Sequence, residues 1–163
     1  MNQQRRTLLK TSGAASVIAV SAAAGLISSP NTLAAEWNKA AFGANNSADV
    51  LKGIDVTTAI SSKDIVIKTP DIAENPSVVP VEVTSNIAGT QSIAILVERN
   101  PFPMAASFDI ANGGEAYVGM RLKVAGKVKN DDPSPILRVI VKAGGKSYTA
   151  SREIKMTIGG CGG

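Results

Sequence analysis

The sequence contains no histidine and a single cysteine, and only 4% of its 163 residues are aromatic. Without histidine there is no Ser-His-Asp or Cys-His catalysis, and the commonest transition-metal ligand and the default general base at neutral pH are missing. One cysteine excludes an internal disulfide framework. A zinc site would have to be assembled from one thiol and scattered carboxylates, which is not how zinc is held. No catalytic residue, metal site or cofactor is therefore expected, and the chain does not read as an enzyme. No cluster of basic and aromatic side chains occurs either, so nucleic-acid binding is excluded. What is present is a chain 44% apolar and 18% charged, enough to build the core of one domain with an appendage.

The charge is unevenly placed. Three of the 17 basic residues (Arg5, Arg6 and Lys10) and none of the 13 acidic ones fall in residues 1–35, so of the formal +4 only +1 belongs to the remainder. The basic start is followed by a mildly apolar, alanine-rich stretch from Ser12 to Ile27, then Pro30 and the small residues Thr32-Leu33-Ala34-Ala35. A spanning anchor needs roughly 20 strongly apolar residues, which this stretch does not supply. The paired arginines, weak apolar region and Lys10 resemble a bacterial twin-arginine signal over residues 1–35. Export to the periplasm is expected, with cleavage near Ala34 or Ala35 and no membrane span afterwards. That route carries folded proteins.

Residues 36–158 read as one all-β domain. A short helical stretch comes first, with Trp37, Ala41 and Phe42 at helical spacing and Ser47 placed to cap a turn through Val50. Strands are predicted over Asp64–Lys68, Val78–Thr84, Ser92–Arg99, Met104–Ile110, Tyr117–Val124, Ile136–Lys142 and Lys146–Ile158. Asn112-Gly113-Gly114 and Asp131-Asp132-Pro133-Ser134-Pro135 supply turn chemistry between strands, and Ala143-Gly144-Gly145-Lys146 reads as a hairpin turn. Short strands at this spacing imply an immunoglobulin-like antiparallel β-sandwich. Two strands are too apolar for a sheet with one wet face: Ile93 to Val97 is apolar throughout, and only Arg138 interrupts Ile136 to Val141. Either the N-terminal helical segment or a loop covers them, or a protein partner does. A stable heterodimer burying the faces that carry Ile95, Leu96, Val139 or Val141 is the sharper expectation.

The chemistry lies at the end of the chain, in residues 159–163. Cys161 is flanked by Gly159-Gly160 and Gly162-Gly163. Glycine has no Cβ and reaches most of backbone space, so a slim, flexible arm bearing one thiol is expected, spanning about 17 Å when extended. With no basic residue nearer in sequence than Lys155, nothing local activates the thiol. It reads as a group that receives or carries, with catalysis supplied by others.

The ending Ile158-Gly159-Gly160-Cys161-Gly162-Gly163 resembles the carboxy-terminal signature of the SoxY family. Pro70-Asp71-Ile72-Ala73-Glu74-Asn75, Val79-Pro80-Val81-Glu82-Val83 and Asn100-Pro101-Phe102-Pro103 fit as well, and Pro76 departs from the family's usual glycine at a turn. The resemblance implies an immunoglobulin-like sandwich paired with a second small β-sandwich subunit, SoxZ, in periplasmic thiosulfate oxidation. It implies Cys161 as the covalent attachment atom and Gly159, Gly160, Gly162 and Gly163 as the swinging arm. It also implies partner enzymes: a c-type cytochrome of the SoxXA kind, a manganese-dependent thiosulfohydrolase of the SoxB kind, and a sulfane dehydrogenase.

Two other classes compete. Ubiquitin-like sulfur carriers end in Gly-Gly and bear sulfur as a thiocarboxylate, here on Gly163, but they work in the cytosol beside an adenylating enzyme. A structural module could use Cys161 only for an intermolecular disulfide, yet it would need no glycine beyond the cysteine.

Overall fold

The structure, a computed structural model, describes residues 37–125 and 134–156. The leader, the Asp131-Asp132-Pro133 part of one turn, and the Gly159–Gly163 arm with Cys161 lie outside the described residues. The chain divides into two units, Met1–Trp37 and Asn38–Gly163, and only the second is described beyond a single residue.

Alternation builds the smaller sheet. Strand β4 (Val79–Ser85) buries Val79, Val81, Val83 and Ser85 and turns the intervening side chains outward, the period-two pattern of a sheet with one wet face. It pairs antiparallel with β2 (Ile65–Lys68) and β7 (Tyr117–Leu122) in the order β2-β4-β7. Pro80 is tolerated because β2 ends opposite Glu82, leaving β4 with a neighbour on one side there.

The larger sheet has the order β1-β9-β8-β5-β6, from β1 (Ile60–Ser61), β5 (Thr90–Val97), β6 (Met104–Asp109), β8 (Ile136–Ala143) and β9 (Lys146–Glu153). The β8–β9 hairpin closes as expected: Ala143 faces Lys146, with Gly144 and Gly145 at φ +56° and +72°, the left-handed pair that a two-residue hairpin turn demands. The two sheets face each other across a core that includes Ile67, Val81, Val83, Ile93, Ile95, Leu137, Val139 and Val141. The molecule is an immunoglobulin-like sandwich with two departures from a purely antiparallel plan. Strand β1 runs parallel to β9, and β10 (Lys155–Met156) runs parallel to β3 (Ile72–Ala73).

The apolar runs in β5 and β8 are explained within the chain. Helices α1 (Lys39–Phe42) and α2 (Ser47–Gly53) lie on the outer face of the larger sheet, where Ala41, Ala44, Val50 and Val56 pack with Ala94, Leu96, Met104 and Ile140. Ile95, Val139 and Val141 are fully buried between the sheets, and Leu96 under the helices. The expectation that a partner covers these four residues is therefore corrected: none has surface left to offer.

The helices approach closely at Gly53, where a Cβ would stand 2.8 Å from the Ala41 nitrogen. Asn38 joins them, its Nδ2 donating to the Gly53 carbonyl at 2.7 Å and its Oδ1 accepting from the Ala41 N–H at 3.0 Å. The cap of α2 is Asn46, one residue before the expected Ser47. Its backbone is extended, its Oδ1 accepts from the Asp49 N–H, and its Nδ2 donates to the Asp49 carboxylate. That hydrogen bond, aided by one from Lys52 and by its charge, holds the Asp49 carboxyl below the usual carboxylate range.

Candidate functional site

The described part of the candidate site is the root from which residues 157–163 continue. The expected strand Lys146–Ile158 is broken at Ile154. There the chain leaves the larger sheet, and β10 pairs with β3 instead, Lys155 opposite Ile72 and Met156 opposite Ala73. The break is specified by burial and hydrogen bonding. The Ile154 side chain is fully buried in the sandwich core, its N–H donates to the Pro135 carbonyl at 3.0 Å, and the Lys155 N–H donates to the Asp71 carbonyl at 3.2 Å.

Arg152 braces the same crossing. Its Nη1 donates to the Ile67 carbonyl at 3.1 Å and its Nη2 to Asp71 Oδ1 at 2.6 Å, tying β9 to the strand and loop beneath β10. The role of Arg152, Asp71 and Ile154 was not read from the sequence. The one available signal is an isoleucine set between charged residues, Glu153-Ile154-Lys155.

Around the root stand two loops. In the first, the Val78 N–H donates to the Asn75 carbonyl and the Ser77 N–H to Asn75 Oδ1. Pro76 thus occupies the second position of a tight turn, which its fixed φ favours. In the second loop, Asn100 Nδ2 donates to the Lys123 carbonyl at 2.9 Å and Asn100 Oδ1 accepts from the Ala125 N–H at 2.6 Å. Among the described residues, no group of three carboxylate or thiol side chains could hold a metal ion, and no helix is long and apolar enough to cross a membrane. Cys161, Gly159, Gly160, Gly162 and Gly163 lie outside the described residues.

A sandwich with a helical cover and a braced C-terminal root defines the class: a small immunoglobulin-like domain whose sequence runs on from its last described strand to Cys161. The family described as "Sulfur oxidation protein SoxY" matches residues 54–161. The chain belongs to the SoxY family, whose members are sulfur carriers and not enzymes. The sulfur carrier protein SoxY from Chlorobium limicola f thiosulfatophilum is similar in structure, with a TM-score of 0.54 and 36% identity over 68% of this chain and 96% of that one. A chain from a structure on T cell specificity and activation by the bacterial superantigen toxic shock syndrome toxin-1 is matched at a TM-score of 0.40 and 9% identity over 57% of this chain and 99% of that one. No curated protein matches. An immunoglobulin-like sandwich of the SoxY family leaves the ubiquitin-like reading of the Gly162-Gly163 ending without support.

Proposed function

We propose that this protein is a periplasmic carrier that holds thiosulfate-derived sulfur on Cys161 and presents it to separate enzymes. The observation that carries this reading is where the family match stops. It ends on residue 161, the only cysteine in the chain, between Gly159-Gly160 and Gly162-Gly163. The twin-arginine pattern of residues 1–35 supports the compartment, and membership of the family supports a SoxZ-like β-sandwich subunit as the standing partner.

In the first step the Cys161 thiol and thiosulfate together lose two electrons and one proton, and a sulfur–sulfur bond forms to give Cys161–S–S–SO3⁻. The electrons pass to a SoxXA-like c-type cytochrome. In the second, a manganese-dependent SoxB-like thiosulfohydrolase adds water to the outer sulfur. Sulfate and a proton leave, and Cys161–S–SH remains. A sulfane dehydrogenase-like enzyme then oxidises the sulfane sulfur. The chain contributes the attachment atom and a slim approach to it. Ordering each arm residue inside an enzyme costs roughly 1–2 kcal/mol of backbone entropy, which keeps each visit releasable.

Cys161→Ser in the reconstituted pathway tests the reading. Thiosulfate oxidation is expected to vanish while the fold and the assembly with the SoxZ-like subunit persist. Full activity in that variant would overturn it.

A further inference from the structure

The length of the tail limits where an enzyme can stand. Cys161 lies five positions beyond Met156, and an extended chain of five steps covers about 17 Å. An enzyme whose reacting atoms meet Cys161 must therefore rest against the end of the sandwich where β10 stops. That end carries exposed large apolar side chains on separate backbone segments: Ile72 at 52%, Val78 at 47% and Phe102 at 58% exposure.

Each of these segments is hydrogen-bonded into the same end. Ile72 lies opposite Lys155 in the β3–β10 pair, and Ile72 and Val78 together line a groove of about 370 Å³. The turn that ends at Val78 is joined to the chain beyond β7, because the Pro76 carbonyl accepts from the Val124 N–H at 2.8 Å. The next residue, Ala125, is bonded to Asn100, two positions before Phe102. Pro103 closes that loop by accepting from the Val97 N–H at 2.8 Å. Phe102 is thus held in water by a pinned loop. Apolar side chains left exposed together at one end of a domain are the kind of surface a protein partner covers. Three such side chains are far fewer than the roughly 20–30 residues a side of a stable interface, so the contact suits a brief encounter.

We propose that Ile72, Val78 and Phe102 form an apolar collar around the root of the C-terminal segment and seat the enzymes that take up Cys161. The partner it fits is a protein with an apolar rim around a channel narrow enough for a glycine-flanked thread. This rests on the reading of Cys161 as the attachment site.

The test uses the full exported chain assembled with its SoxZ-like subunit. Cys161 is loaded chemically with tetrathionate: the Cys161 thiolate displaces thiosulfate, leaving Cys161–S–S–SO3⁻ without any loading enzyme. Sulfate release by a SoxB-like thiosulfohydrolase is then measured against carrier concentration. Phe102→Ser, and separately Ile72→Ser with Val78→Ser, are expected to raise KM for the loaded carrier about tenfold with kcat unchanged. Alkylation of Cys161 by iodoacetamide should keep its rate, and Tyr117→Ser, at the opposite end of β7, should change neither parameter. Unchanged KM in the folded collar variants would overturn the proposal. So would loss of the SoxZ-like subunit from them, which would make this surface the subunit interface. A failure of the carrier reading looks different: no adduct on Cys161, or turnover by Cys161→Ser.

Discussion

Ile154 and Asp71 both sit at the root of the C-terminal segment, yet they should matter very unequally. Ile154 is fully buried in the core, and truncating such a side chain costs about 2–5 kcal/mol. Asp71 is largely exposed, and exposed ion pairs such as Arg152–Asp71 contribute about 0–1 kcal/mol. Urea denaturation should therefore show a large loss for Ile154→Ala and almost none for Asp71→Ala; equal losses would mean that the ion pair, and not burial, fixes the crossing. Arg138 teaches the same lesson about what a sequence displays. It was visible as the one interruption in an apolar strand, but its reason was not: its partner Glu98, at 2.7 Å, comes from the end of another strand. Pairings over such separations leave no local pattern. The Gly144-Gly145 turn could be read directly, because a positive φ at consecutive positions selects glycine wherever it occurs.

At the scale of elements, the seven long strands were legible because alternation and turn residues are local signals. Strands β1 and β3 were missed, being two residues each and paired in parallel at sheet edges. The apolar runs in β5 and β8 announced a cover without naming it. The cover is α1 and α2, and both are so short that only packing on the sheet can hold them. The family match begins at Ile54, beyond α2, so the helical layer lies outside it. A chain starting at Thr57 should expose Leu96, Met104 and Ile140, bind more of a hydrophobic dye than the parent chain and self-associate. A monomer that binds no dye would show that the helices are dispensable. Gly53→Ala should act in the same direction more mildly, because the added methyl meets the α1 backbone. Dye binding unchanged from the parent would contradict that.

At the scale of the whole molecule, the sandwich works as a base. One end gathers the crossing at Ile154, the Asn75–Val78 turn and the Asn100-pinned loop around the point where the described chain ends, and the apolar faces of β5 and β8 are covered within the chain itself. The carrier role was legible from five residues at the terminus because they are read as covalent chemistry and need no fold to interpret them. The root that presents them was not, since it depends on contacts between distant segments. The central claim is that sulfur travels on Cys161. The most direct measurement is an intact mass, followed by peptide mapping, of this protein isolated from cells oxidising thiosulfate. The account requires added S2O3 or sulfane sulfur, removed by a reducing agent and mapped to Cys161. Sulfur found on the Gly163 carboxylate, or a protein that never gains mass under turnover, would contradict it.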